Sequence, residues 1–162
     1  MLIAGNWKMN LKYDDIMNFK EMISDFKLDN SVEMAIFPQF PLLYTARRNL
    51  LNYNVEVGAQ TWSSKLKGAY TGDVSVEIIS DIGCKYCIVG HSERREFHNE
   101  SNDSVKKAST LLLSKNIIPI ICIGESLEIK NKKINNQFIK NQIRECVPDN
   151  IKSNLVIAYE PL

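Results

Sequence analysis

Three short polar motifs each follow an apolar run, and each holds one residue able to move or stabilise charge. They are Gly5-Asn6-Trp7-Lys8-Met9-Asn10, Val89-Gly90-His91-Ser92-Glu93-Arg94-Arg95 and Ala158-Tyr159-Glu160-Pro161. A lysine at the mouth of a strand can neutralise a phosphate or an enolate oxygen, and Asn6 lies beside it. A histidine transfers protons near neutral pH. Ser92-Glu93-Arg94-Arg95-Glu96 reads as the start of a short helix, so His91 is expected near a helix N-terminus. Partial positive charge there favours a neutral imidazole, able to donate to a carbonyl oxygen. Glu160, at the end of an apolar strand, loses solvation and becomes a stronger base. Pro161 holds Glu160 in an extended conformation. Each residue alone has an ordinary reading: a surface lysine, a packing or capping histidine, a salt-bridged glutamate. Together, at the ends of three strands, they read as an acid–base site.

The elements that must position them alternate. Strands are expected at 2–7, 33–37, 55–59, 86–89, 117–123 and 155–159, nearly continuous in apolarity, as strands buried on both faces are. Helices are expected at 13–26, 41–51, 74–81, 103–115 and 134–147. Pro41 suits a first helical turn, Asp103 is a candidate cap for the fourth helix, and Asn116 a candidate stop. Ile16, Phe19, Ile23 and Phe26 form one apolar stripe. Residues 128–136 read as a solvated loop or frayed helix end. The order is (βα)5β with parallel strands. An open doubly wound sheet and part of a (βα)8 barrel both fit, and both place their sites at the carboxyl ends of strands. No G-x-G-x-x-G turn follows the first strand, which counts against dinucleotide binding.

The chain has 162 residues, 44% apolar, enough for a core, and a net charge of +1. That charge gives no reason to expect nucleic acid or an anionic membrane surface. The opening Met1-Leu2-Ile3-Ala4-Gly5 lacks a basic region and cleavage site, so it reads as a strand and not a signal peptide. No apolar run is long enough to span a bilayer. A soluble cytoplasmic protein is expected. Cys84-Lys85-Tyr86-Cys87 has C-x-x-C form, but no second such pair exists and the two histidines lack ligand spacing. All four cysteines, with Cys122 and Cys146, are expected to be small core residues.

The stretch Gly58-Ala59-Gln60-Thr61 to Gly68-Ala69-Tyr70-Thr71-Gly72-Asp73-Val74-Ser75 is long for a βα connection, which points to function. Its glycines and its apolar Trp62, Leu66 and Tyr70 suggest a projecting loop that packs on another surface, such as a second subunit. His98 has no such context and is given no role.

GNWKMN, GAYTGDVS, VGHSERR, CIGE and AYEP, in this order along the chain, resemble the triosephosphate isomerase family. The resemblance implies an α/β fold, the parallel (βα)8 TIM barrel, and a homodimer with no metal or organic cofactor. It implies interconversion of dihydroxyacetone phosphate and D-glyceraldehyde 3-phosphate, in glycolysis and gluconeogenesis. By motif, Glu160 resembles the base, His91 the electrophile and proton shuttle, and Lys8 the cation that binds substrate and stabilises the enediolate. Asn6 is similar to a substrate contact. Ser92, Glu93 and Cys122 resemble supporting residues, with Cys122 packed beneath the glutamate. Thr71, with Tyr70 and Gln60, resembles the family's dimer interface. The chemistry needs a base on one side and donors where negative charge develops. It also needs water excluded, because an enediol phosphate can eliminate its phosphate.

A (βα)8 barrel takes about 250 residues. The resemblance therefore implies one barrel domain over 1–162, carrying strands one to six and ending before strands seven and eight. Strands one and six are then expected to expose backbone edges. The alternative to a partial isomerase sequence is an inactive barrel fragment that serves only as an assembly module. A third reading is a phosphate-binding barrel of different chemistry.

Overall fold

Short runs rich in Val and Ile cannot satisfy their own backbone groups, so they pair. Helices between them return the chain for parallel pairing. The computed structural model describes residues 1–26, 29, 31–132, 134–151 and 154–161. It divides into two compact units, Met1–Cys87 and Ile88–Leu162.

In the first unit β1 (Leu2–Asn6), β2 (Glu33–Phe37) and β3 (Val55–Ala59) alternate with α1 (Tyr13–Ser24) and α2 (Phe40–Leu50). Then α3 (Val76–Ile82) leads to β4 (Tyr86–Val89), which runs across the unit boundary. The pairing is parallel: Leu2 to Asn6 face Glu33 to Phe37, Met34 faces Val55, and Gly58 faces Tyr86. Ile16, Phe37, Leu43, Leu50 and Val57 are fully buried in its core. Pro41 does lie in the first turn of α2. The apolar stripe of α1 stops early, because the helix ends at Ser24. Ile16 and Ile23 are buried, whereas Phe26, beyond the helix, is 65% exposed.

In the second unit the order is α4 (Ser92–His98), α5 (Asn102–Ser114), β5 (Ile118–Ile123), α6 (Leu127–Asn131), α7 (Asn135–Cys146) and β6 (Val156–Tyr159). β5 and β6 are parallel, with Ile120 facing Val156 and Ile123 facing Tyr159. The cap of α5 is Ser101, not Asp103: its Oγ accepts from the Ser104 N–H at 3.1 Å. Asp103 sits in the first turn instead, where its charge complements the helix dipole. Asn116 takes the left-handed conformation expected of a stop, with φ 58°. The stretch 128–136 is more ordered than a loop, since α6 is capped by Ser126 Oγ accepting from the Ile129 N–H. Residue 133 of that stretch lies outside the described residues.

Burial on both faces holds for most of β2 to β5 and fails for β1 and β6. Ile3, Ile157 and Tyr159 are exposed. Among the described residues of its unit, each of these strands has a pairing neighbour on one side only. The four cysteines are buried, as core residues. Among the described residues, no helix is long and apolar enough to cross a membrane.

Candidate active site

His91 follows β4 and forms the N-cap of α4. Its Nδ1 accepts a hydrogen bond from the Glu93 N–H at 3.2 Å. An accepting Nδ1 carries a lone pair, so the ring proton belongs on Nε2. The Glu93 carboxylate also approaches Nδ1, at 3.4 Å. His91 is 7% exposed, and its Nε2 edge faces Glu160 Oε2 at 3.6 Å. That separation is beyond a hydrogen bond.

Glu160 stands one residue past β6. Its N–H donates to the Ile123 carbonyl at 2.8 Å, which extends the β5–β6 pairing to the glutamate backbone. Its Oε2 is buried and has no hydrogen-bond partner among the described residues. An acceptor left unpaired near a proton donor is available for a proton from a third party. The Cys122 thiol is pushed up to about 12, first by burial and next by the charge of Glu160. It stays a neutral group beside the carboxylate.

The loop after β5 is shaped around the same glutamate. A Cβ on Gly124 would lie 1.8 Å from the Glu160 carbonyl oxygen, so no other residue fits there without moving backbone. The Gly124 N–H is held by Gln142 Oε1 at 3.0 Å. A crevice of about 20 Å³, room for one water, is lined by Gly90, Ser92, Arg95, Cys122, Ile123, Gly124 and Glu160.

Glu125 received no role from the sequence. It is 1% exposed, and its Oε1 accepts from the Tyr159 hydroxyl at 2.9 Å. That bond, followed by burial, raises the tyrosine above its ordinary value. Oε2 of Glu125 has no hydrogen-bond partner among the described residues. The available signal was its placement, an acidic residue two positions past an apolar strand.

The first unit assembles a second group. Asn6 ends β1, and its Oδ1 accepts from the Lys8 N–H at 2.9 Å. Lys8 has a left-handed backbone, φ 52°, a conformation that a non-glycine residue keeps only when its surroundings hold it. Gln60 supplies part of that hold, since Nε2 donates to the carbonyls of Lys8 at 2.7 Å and Phe37 at 2.8 Å. Trp7 packs edge-on against Phe19, centroids 5.9 Å apart. Tyr70 and Thr71 are exposed on the long loop, with Lys65 Nζ 5.4 Å above the Tyr70 ring. The loop base is closed by Ser63 Oγ donating to Asp73 Oδ2 at 2.7 Å. Asn6, Lys8 and Gln60 are thus gathered in one unit, and His91, Glu93, Cys122 and Glu160 in the other.

Comparison with known proteins places the chain in a family. The family model for triosephosphate isomerase matches residues 1–162. The chain is 39% identical to the triosephosphate isomerase of Thermus thermophilus, over 100% of its own length and 66% of that protein. It is 38% identical to that of Alkaliphilus oremlandii and 36% to that of Endomicrobium trichonymphae, each over 99% of this chain. The chain spans 66% of the length of these curated relatives. Its order of strands and helices is that of the first five βα units and the sixth strand of a TIM barrel, and the chain belongs to the triosephosphate isomerase family.

Proposed function

We propose that this protein interconverts dihydroxyacetone phosphate and D-glyceraldehyde 3-phosphate. The observation that carries the reading is the pair formed by His91 Nε2 and the unpartnered Glu160 Oε2, 3.6 Å apart. Glu160 removes a proton from the carbon beside the carbonyl. The C–H electrons form the carbon–carbon double bond of an enediolate, and the carbonyl oxygen takes the negative charge. His91 donates from Nε2 to that oxygen and moves a proton between the two oxygens. Glu160 returns its proton to the neighbouring carbon, so the step is redox-neutral overall. Lys8 supplies positive charge to the substrate and Asn6 a polar contact. Ser92, Glu93 and Cys122 support the reacting pair.

The reading extends to glycolysis and gluconeogenesis, a cytoplasmic setting, one TIM-barrel domain over 1–162 and a homodimer. Thr71, Tyr70 and Gln60 are assigned to the dimer interface. What supports that assignment is the exposure of Tyr70 and Thr71 on a loop closed at its base.

The test is a coupled assay on the purified protein, with D-glyceraldehyde 3-phosphate as substrate and Glu160→Ala as control. Turnover well above the control supports the isomerase. Turnover at the level of the control rejects it for the chain assayed and favours an inactive assembly module.

A further inference from the structure

The motif around His91 contains a residue that the proposed reaction does not use. Arg95 lies one turn into α4 and is half-buried. Its Nε donates to the Gly90 carbonyl at 2.7 Å, and one terminal nitrogen to the Cys122 carbonyl at 3.2 Å. The other terminal nitrogen donates to Asn102 Oδ1 at 2.8 Å, and Asn102 is tied in turn to Glu145 at 2.7 Å. A weaker contact reaches the Cys146 sulfur at 3.5 Å.

These carbonyls sit at two ends of the reacting pair. The Gly90 carbonyl belongs to the peptide bond that His91 completes. Its orientation is held from the other side too, because the Gly90 N–H donates to Glu100 Oε2 at 3.0 Å. Gly90 has φ +68°, and a Cβ there would lie 2.7 Å from the Arg95 guanidinium. Glycine at 90 therefore both makes the turn and admits the arginine. At the other end, Cys122 carries the thiol packed beside Glu160, two residues before the Gly124 that the Glu160 carbonyl covers.

We propose that Arg95 is a positioning residue: its planar fork ties the peptide before His91 to the end of β5, and so fixes His91 Nε2 against Glu160. The proposal rests on the function proposed above for its catalytic half only. Lysine cannot substitute, because an ammonium is a point donor and cannot span two carbonyls and an amide in a fixed plane.

The experiment compares wild type with Arg95→Lys and Arg95→Ala by steady-state isomerase kinetics and by ¹⁵N spectroscopy of the His91 ring. The wild-type ring should show one tautomer, with the proton on Nε2. Arg95→Lys should lower kcat about 10- to 100-fold, with KM changed less than about threefold, and its ring should average between tautomers. Ethylguanidinium, but not ethylammonium, should restore part of the turnover of Arg95→Ala. Should these variants not fold, Asn102→Ala removes one anchor of the fork and should lower kcat severalfold in the same pattern. Wild-type kcat with an unchanged ring spectrum overturns the proposal, as does a loss confined to thermal stability. An inactive wild type would reject the function reading and leave the clamp to the ring spectrum. There, tautomer averaging in Arg95→Lys upholds it and an unchanged spectrum overturns it.

Discussion

Glu33 and Glu160 are glutamates at opposite ends of apolar strands, and their surroundings differ in kind. Glu33 opens β2 and is surrounded by donors. Lys85 Nζ lies 2.6 Å from its Oε1 and the Tyr86 hydroxyl 2.7 Å. Lys85 also approaches Glu56, which pairs with Arg47. Glu160 follows β6 with Oε2 lacking a hydrogen-bond partner among the described residues and the His91 imidazole 3.6 Å away. A carboxylate whose lone pairs are taken up holds structure together and has little capacity for an incoming proton. One left short of donors costs stability and is ready to accept a proton. The carboxyl ends of the strands are where this fold class keeps its reactive groups, and the opposite ends are where it keeps stability.

The sharpest break of that comparison is Glu160→Ala. Turnover should fall by about 10²- to 10⁴-fold, while the urea midpoint stays near wild type, because no hydrogen bond of Oε2 is lost. A large loss of stability with activity retained would reverse the roles of the two glutamates. Gly124→Ala comes next. The added methyl meets the Glu160 backbone, so unfolding free energy should fall by about 1–3 kcal/mol, with turnover falling too. A variant as stable as wild type would show that the β5 loop yields freely.

Tyr86→Phe acts on the other glutamate. It removes one donor from Glu33 and should cost about 1 kcal/mol in urea unfolding, with kcat unchanged. A fall in kcat would make the strand-start cluster part of the reaction. The smallest effect is in pH. Burial opposes ionisation of Glu33, but Lys85 and Tyr86 outweigh it and hold the carboxyl below its ordinary 4.5. Its contribution is therefore present above that value and is lost as pH falls through the lower folded-state value. The stability gap between wild type and Glu33→Gln should be constant from pH 7 to about 5 and close below it. A gap that widens in acid would contradict the sign.

Where pattern is local, the sequence was sufficient. The runs 33–37, 55–59 and 86–89 are strands with those limits, because short, mostly apolar runs mark a strand with both faces covered. The short helix after His91 and the left-handed Asn116 were readable for the same reason. Elements that depend on a partner were not. The end of α1 left Phe26 exposed, Ser101 displaced Asp103 as a cap, and α6 formed where charged residues suggested a loop or a frayed helix end. In each case a few tenths to about 1 kcal/mol of capping decides, less than composition can resolve.

The site divides the same way. Its candidates were legible in the sequence: Lys8, His91 and Glu160 stand out by residue type and by the strand that each one follows. Type and position along a strand are properties of the chain. Their settings were decided by folding. The unpaired oxygen of Glu160, the backbone contact at Nδ1 of His91, the hold of Gln60 on Lys8 and the burial of Glu125 each rest on specific contacts. So does the reach of Arg95 from Gly90 to Cys122, residues 32 positions apart in sequence. A hydrogen bond or a desolvated carboxylate depends on which atoms meet in space. Only tertiary packing sets that, because one apolar pattern is compatible with many pairings of its polar ends.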